Sequence, residues 1–196
     1  MEYLPEAPTT VTPDGWTKFV FKFGWKRWAL VFLLFIAILY ALVLLGDQIK
    51  NEGGQLHSFW LWVLLIALGG VVGLPLHEAL HAVCLPNFGC GPQTIWGWSN
   101  VVGPIKNPWV GYLGPLSIQR FVVHRLVPFF ILGLGGLILS FCVPELWKMF
   151  IFGLTAGNLI GSFYDIETAI QALRLGAKQV QDGKDGFDWT PEKALP

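Results

Sequence analysis

Leu76-His77-Glu78-Ala79-Leu80-His81 closes an uncharged run of eighteen residues that begins at Phe59. A run of that length suits a helix that crosses a bilayer. Positions four apart share one face of such a helix, so His77 and His81 can point at a single ion, with Glu78 beside them. The plain alternative is a chance match on a polar helix. It fits poorly, because three ionisable side chains adjoin a stretch in which charged groups are expensive. The stretch is therefore read as a metal-binding H-E-x-x-H at the end of a membrane span.

The composition agrees with a membrane setting. The chain of 196 residues is 54% hydrophobic and 13% charged, whereas a soluble domain carries about a quarter charged residues. Its net charge of zero gives no reason to expect a nucleic acid partner. Cys84, Cys90 and Cys142 form no C-x-x-C pair, which argues against a disulfide framework or a cysteine zinc site. The expected class is an α-helical integral membrane protein with the lipid bilayer as its surroundings.

Three parts are expected along the chain. Residues 1–27 read as a cytoplasmic or interfacial N-terminal segment. In it, aromatics from Trp16 onward alternate with Lys18, Lys22, Lys26 and Arg27, as in a segment at headgroup depth. The first apolar run lacks a small-residue cleavage site after it, so it is expected to stay as an anchor. Residues 28–175 read as the transmembrane domain, with about four spans. These are Trp28 to Gly46, Phe59 onward through the histidines, Phe121 to Val143, and Met149 to Tyr164. Gly69, Gly70 and Gly73 would let a neighbouring helix approach closely, and Pro75 should kink the second span. Asn87 to Ser117 is a Gly/Pro-rich insertion in which Thr94 to Trp98 suits a strand of a short β-hairpin. Residues 176–196 read as a polar cytoplasmic tail, with Asp182, Asp185 and Asp188 on a solvated turn.

Basic residues set the orientation. Eleven of the thirteen Lys and Arg lie before the first span, between the second and third, or after the fourth, against Lys50 and Lys148 in the other loops. The positive-inside rule then puts both termini in the cytoplasm. His77 and His81 fall at the cytoplasmic end of the second span and Asp165 at the cytoplasmic end of the fourth. Two histidines and a carboxylate, with a fourth position left for water, suit a catalytic zinc site rather than a structural one. Glu78 is placed to move a proton between water and a leaving amine. Thr155, Asn158, Ser162 and Asp165 make a polar stripe, and Asn158 is a candidate to hydrogen-bond a substrate carbonyl or oxyanion. The stripe is equally what inter-helix packing uses. Cys84 reads as a packing residue, and His124 as an interfacial one beside Arg125.

The pairing of His77-Glu78-Ala79-Leu80-His81 with a later membrane-edge aspartate resembles the site-2 protease type of intramembrane zinc metalloprotease. More closely, it resembles a small family of zincin-like membrane peptidases catalogued as a domain of unknown function. Pro128-Phe129-Phe130, the stretch from Asn158 to Asp165, Val180-Gln181-Asp182 and Gly186-Phe187 carry the likeness, which spans roughly Phe59 to Trp189. The resemblance implies a zinc-dependent peptidase with one ion per chain, His77, His81 and Asp165 as ligands and Glu78 as the acid/base.

The expected function is hydrolysis of a peptide bond in a membrane protein or peptide near the cytoplasmic face. Backbone N–H groups between Gly103 and Gly114 and an edge strand around Trp96 are further candidates to hold the substrate. Two other readings use the same residues. One is a non-catalytic metal-binding scaffold or regulator; the other is a small transporter built on Asp165, against which the lack of a repeated motif counts. Oligomeric state leaves no signature in the sequence.

Overall fold

The computed structural model describes residues 14–20, 29, 33, 56–102, 105–183 and 186–191. A short strand, β1 (Thr17–Val20), comes first. The run that ends in the two histidines is one helix, α1 (Leu56–Cys84), which continues unbroken through Pro75. It stops where Pro86 disfavours helical backbone at the residue before it, and Leu85 is extended (φ −75°, ψ 162°). The chain then turns back through Asn87 and Phe88, both in the left-handed region. At Gly89 (φ +73°) a Cβ would lie 2.8 Å from that of Ala82, so only glycine meets both demands.

β2 (Thr94–Val102) and β3 (Ile105–Tyr112) pair antiparallel, with Trp96 opposite Val110 and Trp98 opposite Pro108. β4 (Leu116–Ser117) leads into α2 (Ile118–Pro128), a π-helical stretch (Phe129–Gly135) and α3 (Gly136–Ser140). α4 (Glu145–Arg174) is followed by β5 (Ala177–Gly183) and β6 (Gly186–Pro191).

Among the described residues, three helical segments are long and apolar enough to cross a membrane: Trp60–Cys84, Ile118–Ser140 and Trp147–Arg174. Leu64, Leu68 and Val71 of α1, and Ile138 and Leu139 of α3, are exposed, as expected of side chains that meet lipid. The further span expected at Trp28 to Gly46 lies outside the described residues, apart from Ala29 and Leu33.

The chain divides into two compact units. The unit of residues 22–73 and 129–161 brings α1 and α4 together backbone to backbone. A Cβ on Gly69 would lie 2.1 Å from the Phe150 carbonyl oxygen, and one on Gly153 2.0 Å from that of Ile66. The close approach expected at the α1 glycines is therefore real. Thr155 Oγ1 donates to the Leu132 carbonyl at 3.2 Å, so part of the α4 polar stripe serves helix packing.

The other unit comprises residues 1–21, 74–128 and 162–196. Its four-stranded antiparallel sheet has the order β1-β6-β5-β4. Phe187 of β6 stacks on Phe19 of β1 (centroids 4.9 Å apart) and meets Phe121 of α2 (5.8 Å). Leu85, Leu116, Ala172 and Val180 complete this core.

Residues 177–183 and 186–191 are thus not a tail. Val180 and Phe187 supply enough apolar surface to dock two strands, and Asp182 and Asp188 go inward with them, 7% and 1% exposed. The reading of a solvated turn is corrected for Asp182 and Asp188; Asp185 lies outside the described residues.

Candidate metal centre

One turn of α1 presents His77 and His81 to the same point, as four-residue spacing dictates. Asp165 of α4 meets them there. Its Oδ2 lies 3.1 Å from His77 Nε2 and 3.3 Å from His81 Nε2, and the two nitrogens are 3.0 Å apart. All three side chains are buried. Tetrahedral zinc about 2.0–2.1 Å from each ligand has ligand–ligand edges of roughly 3.3 Å. The triangle therefore fits zinc in both donor type and size.

The ring orientations are held from behind. His81 Nδ1 donates to the His124 carbonyl at 2.6 Å, which leaves its Nε2 lone pair facing the triangle. His124 Nδ1 donates in return to the His81 carbonyl at 3.0 Å. α1 and α2 are thereby locked together at the site. His124 is fully buried, so its reading as an interfacial residue is corrected.

Arg125, the next residue of α2, joins two acidic groups. Nη1 donates to Asp165 Oδ1 at 3.0 Å, and Nη2 to Asp182 Oδ1 at 2.5 Å. Its guanidinium also lies over the Phe121 ring, 5.3 Å from the centroid. Asp182 Oδ2 accepts the Tyr112 N–H at 3.3 Å and sits 3.7 Å from His124 Nε2. Burial pushes Asp182 up, yet Arg125 and His124 outweigh it and hold the carboxyl below the usual carboxylate range. Two buried carboxylates against one guanidinium leave negative charge over, which favours a cation in the triangle.

Glu78 follows His77 on the same turn. Its Oε2 accepts the Val110 N–H of β3 at 2.9 Å. Residues 110 and 112 alternate with the positions that bond to β2, so their amides project from the outer edge of β3. One holds Glu78 and the other holds Asp182. These amides belong to the stretch expected to hold substrate, and they are committed to the site's own carboxylates instead; Gly103 lies outside the described residues.

The other sequence candidates fall as follows. Asn158 is buried in the Lys22–Gly73 and Phe129–Gly161 unit, beside Gly133, where an added Cβ would lie 3.3 Å from its Nδ2. Cys84 is half-buried and stands outside the ligand triangle. Arg125 and Asp182 were missed. Two signals pointed to them: Phe121, His124, Arg125 and Pro128 share one face of α2, and Val180-Gln181-Asp182 carried part of the family likeness.

No curated protein and no solved structure matches the chain. The family described as "Putative zincin peptidase" matches residues 70–179, which include every residue of the triangle and Glu78. That match points to a zinc metallopeptidase and covers more than half of the sequence: the chain belongs to this zincin peptidase family.

Proposed function

We propose that the protein is a membrane-embedded zinc metallopeptidase of the site-2 protease type, which cuts a membrane protein or peptide near the cytoplasmic face. The observation that carries this reading is the buried convergence of His77, His81 and Asp165 beside Glu78. Those three residues would hold one zinc ion per chain. Bound there, zinc supplies a Lewis acid for the scissile carbonyl and lowers the pKa of water to about 7.

The chain's own groups do the rest. Val110 fixes Glu78 by Oε2, which leaves Oε1 to take a proton from the attacking water. Glu78 then returns that proton to the leaving amine nitrogen. Asn158 of α4 is assigned to a substrate carbonyl. The substrate backbone is assigned to the outer edge of β2, since the outer edge of β3 already carries Glu78 and Asp182.

The strand pairing supports four spans with both termini cytoplasmic. β1 bonds to β6, so both strands lie on one side of the membrane and the chain between them crosses an even number of times. Trp28 to Gly46 makes the count even with the three apolar helices. The charge distribution selects the cytoplasmic side.

The test is metal content and cleavage on the purified full chain in detergent. About one zinc per chain is expected, with cleavage of a transmembrane substrate that a chelator abolishes and added zinc restores. Glu78→Gln should keep the zinc and lose about 100- to 10,000-fold in turnover. Equal cleavage by Glu78→Gln would overturn the mechanism. Zinc without any cleavage would favour a scaffold.

A further inference from the structure

We propose that Arg125, oriented by Asp182, is a positioning residue that makes Asp165 a one-oxygen ligand and so keeps a coordination position open. The proposal deepens the zinc reading and rests on it. A carboxylate can bind a metal through one oxygen or both. With two histidines already present, a second oxygen from Asp165 would crowd the open position that a catalytic site requires and, with water bound there, would raise the ion from four donors to five. Here the two oxygens are separated in role. Oδ2 faces both histidines, while Oδ1 accepts from Arg125 at 3.0 Å. Rotating the carboxylate toward two-oxygen binding would break that charge-assisted bond in a buried place.

The clamp works only if the guanidinium is itself immobile, and three contacts see to that. Its second nitrogen is held by Asp182, its Cζ lies over the Phe121 ring, and Asp182 is tied to the Tyr112 amide of β3. A planar fork serves two carboxylates at once; a lysine ammonium offers no such fixed geometry. The Tyr112–Asp182–Arg125–Asp165 chain thus transmits the position of β3 to the third ligand. Of these groups only Asp165 would touch the ion, so the effect of the others is on geometry and affinity.

Cobalt in place of zinc reads coordination directly, since four-coordinate Co(II) absorbs visible light far more strongly than five- or six-coordinate Co(II). The full chain in detergent is loaded with Co(II), and its zinc affinity is measured against a chromophoric chelator. Wild type should give the intense four-coordinate bands. Arg125→Met should weaken the bands and lower zinc affinity about 10- to 100-fold. Arg125→Lys should fall between the two, because it keeps the charge without the fork.

Asp182→Ala should shift both readouts in the same direction and add little in the Arg125→Met background, since it acts through Arg125. A folded Arg125→Met chain with wild-type spectrum and affinity would overturn the proposal, as would independent, multiplying losses in the double variant. Should Arg125→Met fail to fold, Asp182→Ala decides alone, and an unchanged spectrum there is equally fatal. A wild-type chain that binds neither ion overturns the zinc reading and this proposal with it.

Discussion

Val110 gives its backbone N–H to Glu78, 32 residues earlier in the chain, at 2.9 Å. The acid/base assigned to peptide hydrolysis is thus steered by main chain. Val110→Pro removes this donor, and Pro108 on the same edge of β3 indicates that the strand accepts proline there. A hydrogen bond to a charged group is worth about 1.5–3 kcal/mol, so turnover should fall about 10- to 100-fold with zinc content intact. Steady-state cleavage and metal analysis on the same preparation check this.

Removal of a ligand should act on the metal first. Asp165→Ala should leave a two-histidine site that loses zinc during purification, with wild-type zinc content as the contrary result. His81→Ala should do the same and also release the His124 carbonyl that its ring now occupies. Elemental analysis after dialysis distinguishes these variants from Glu78→Gln, which retains zinc.

Asp182 gives the molecule an acid-sensitive element. Its folded pKa lies below the usual value near 4, so its contribution to stability is complete above about pH 4. That contribution falls away as pH drops below this value toward the lower folded pKa. Asp182→Asn should lower thermal stability at pH 6 by about 1–3 kcal/mol and flatten the loss between pH 4 and pH 2. Thermal melts in detergent across that range provide the measurement.

The helix contact at Gly69 makes a different demand. An added methyl would meet the Phe150 carbonyl oxygen at 2.1 Å, a backbone atom that cannot move aside alone. Gly69→Ala should destabilise by about 1–3 kcal/mol, and Gly153→Ala by a similar amount against Ile66. Gly70→Ala is the control, since the nearest atom there is 3.8 Å away. Melting temperatures in one detergent compare the three.

What the sequence disclosed depended on the range of each interaction. His77 and His81 were legible because four-residue spacing fixes their relation on one helix. Asp165 was legible because membrane depth is counted from apolar lengths and charges. The strand at Thr94 to Trp98 was visible in its alternation. Arg125 was hidden, because its partners lie 40 and 57 residues away and an arginine beside a span end also suits the interface. The C-terminal sheet was hidden for a related reason. Lys178, Gln179, Gln181 and Asp182 read as polar surface until α2, with Phe121, supplies the other side of the core.

The alternation of β3 has a consequence for how this site can fail. Amides 110 and 112 point the same way only because strand periodicity is two. A slip of one residue against β2 would turn both inward at once, freeing Glu78 and Asp182 together. The proposed acid/base and the proposed ligand clamp are therefore calibrated by one ruler. A misregistered chain would lose the alignment of both carboxylates, not of one.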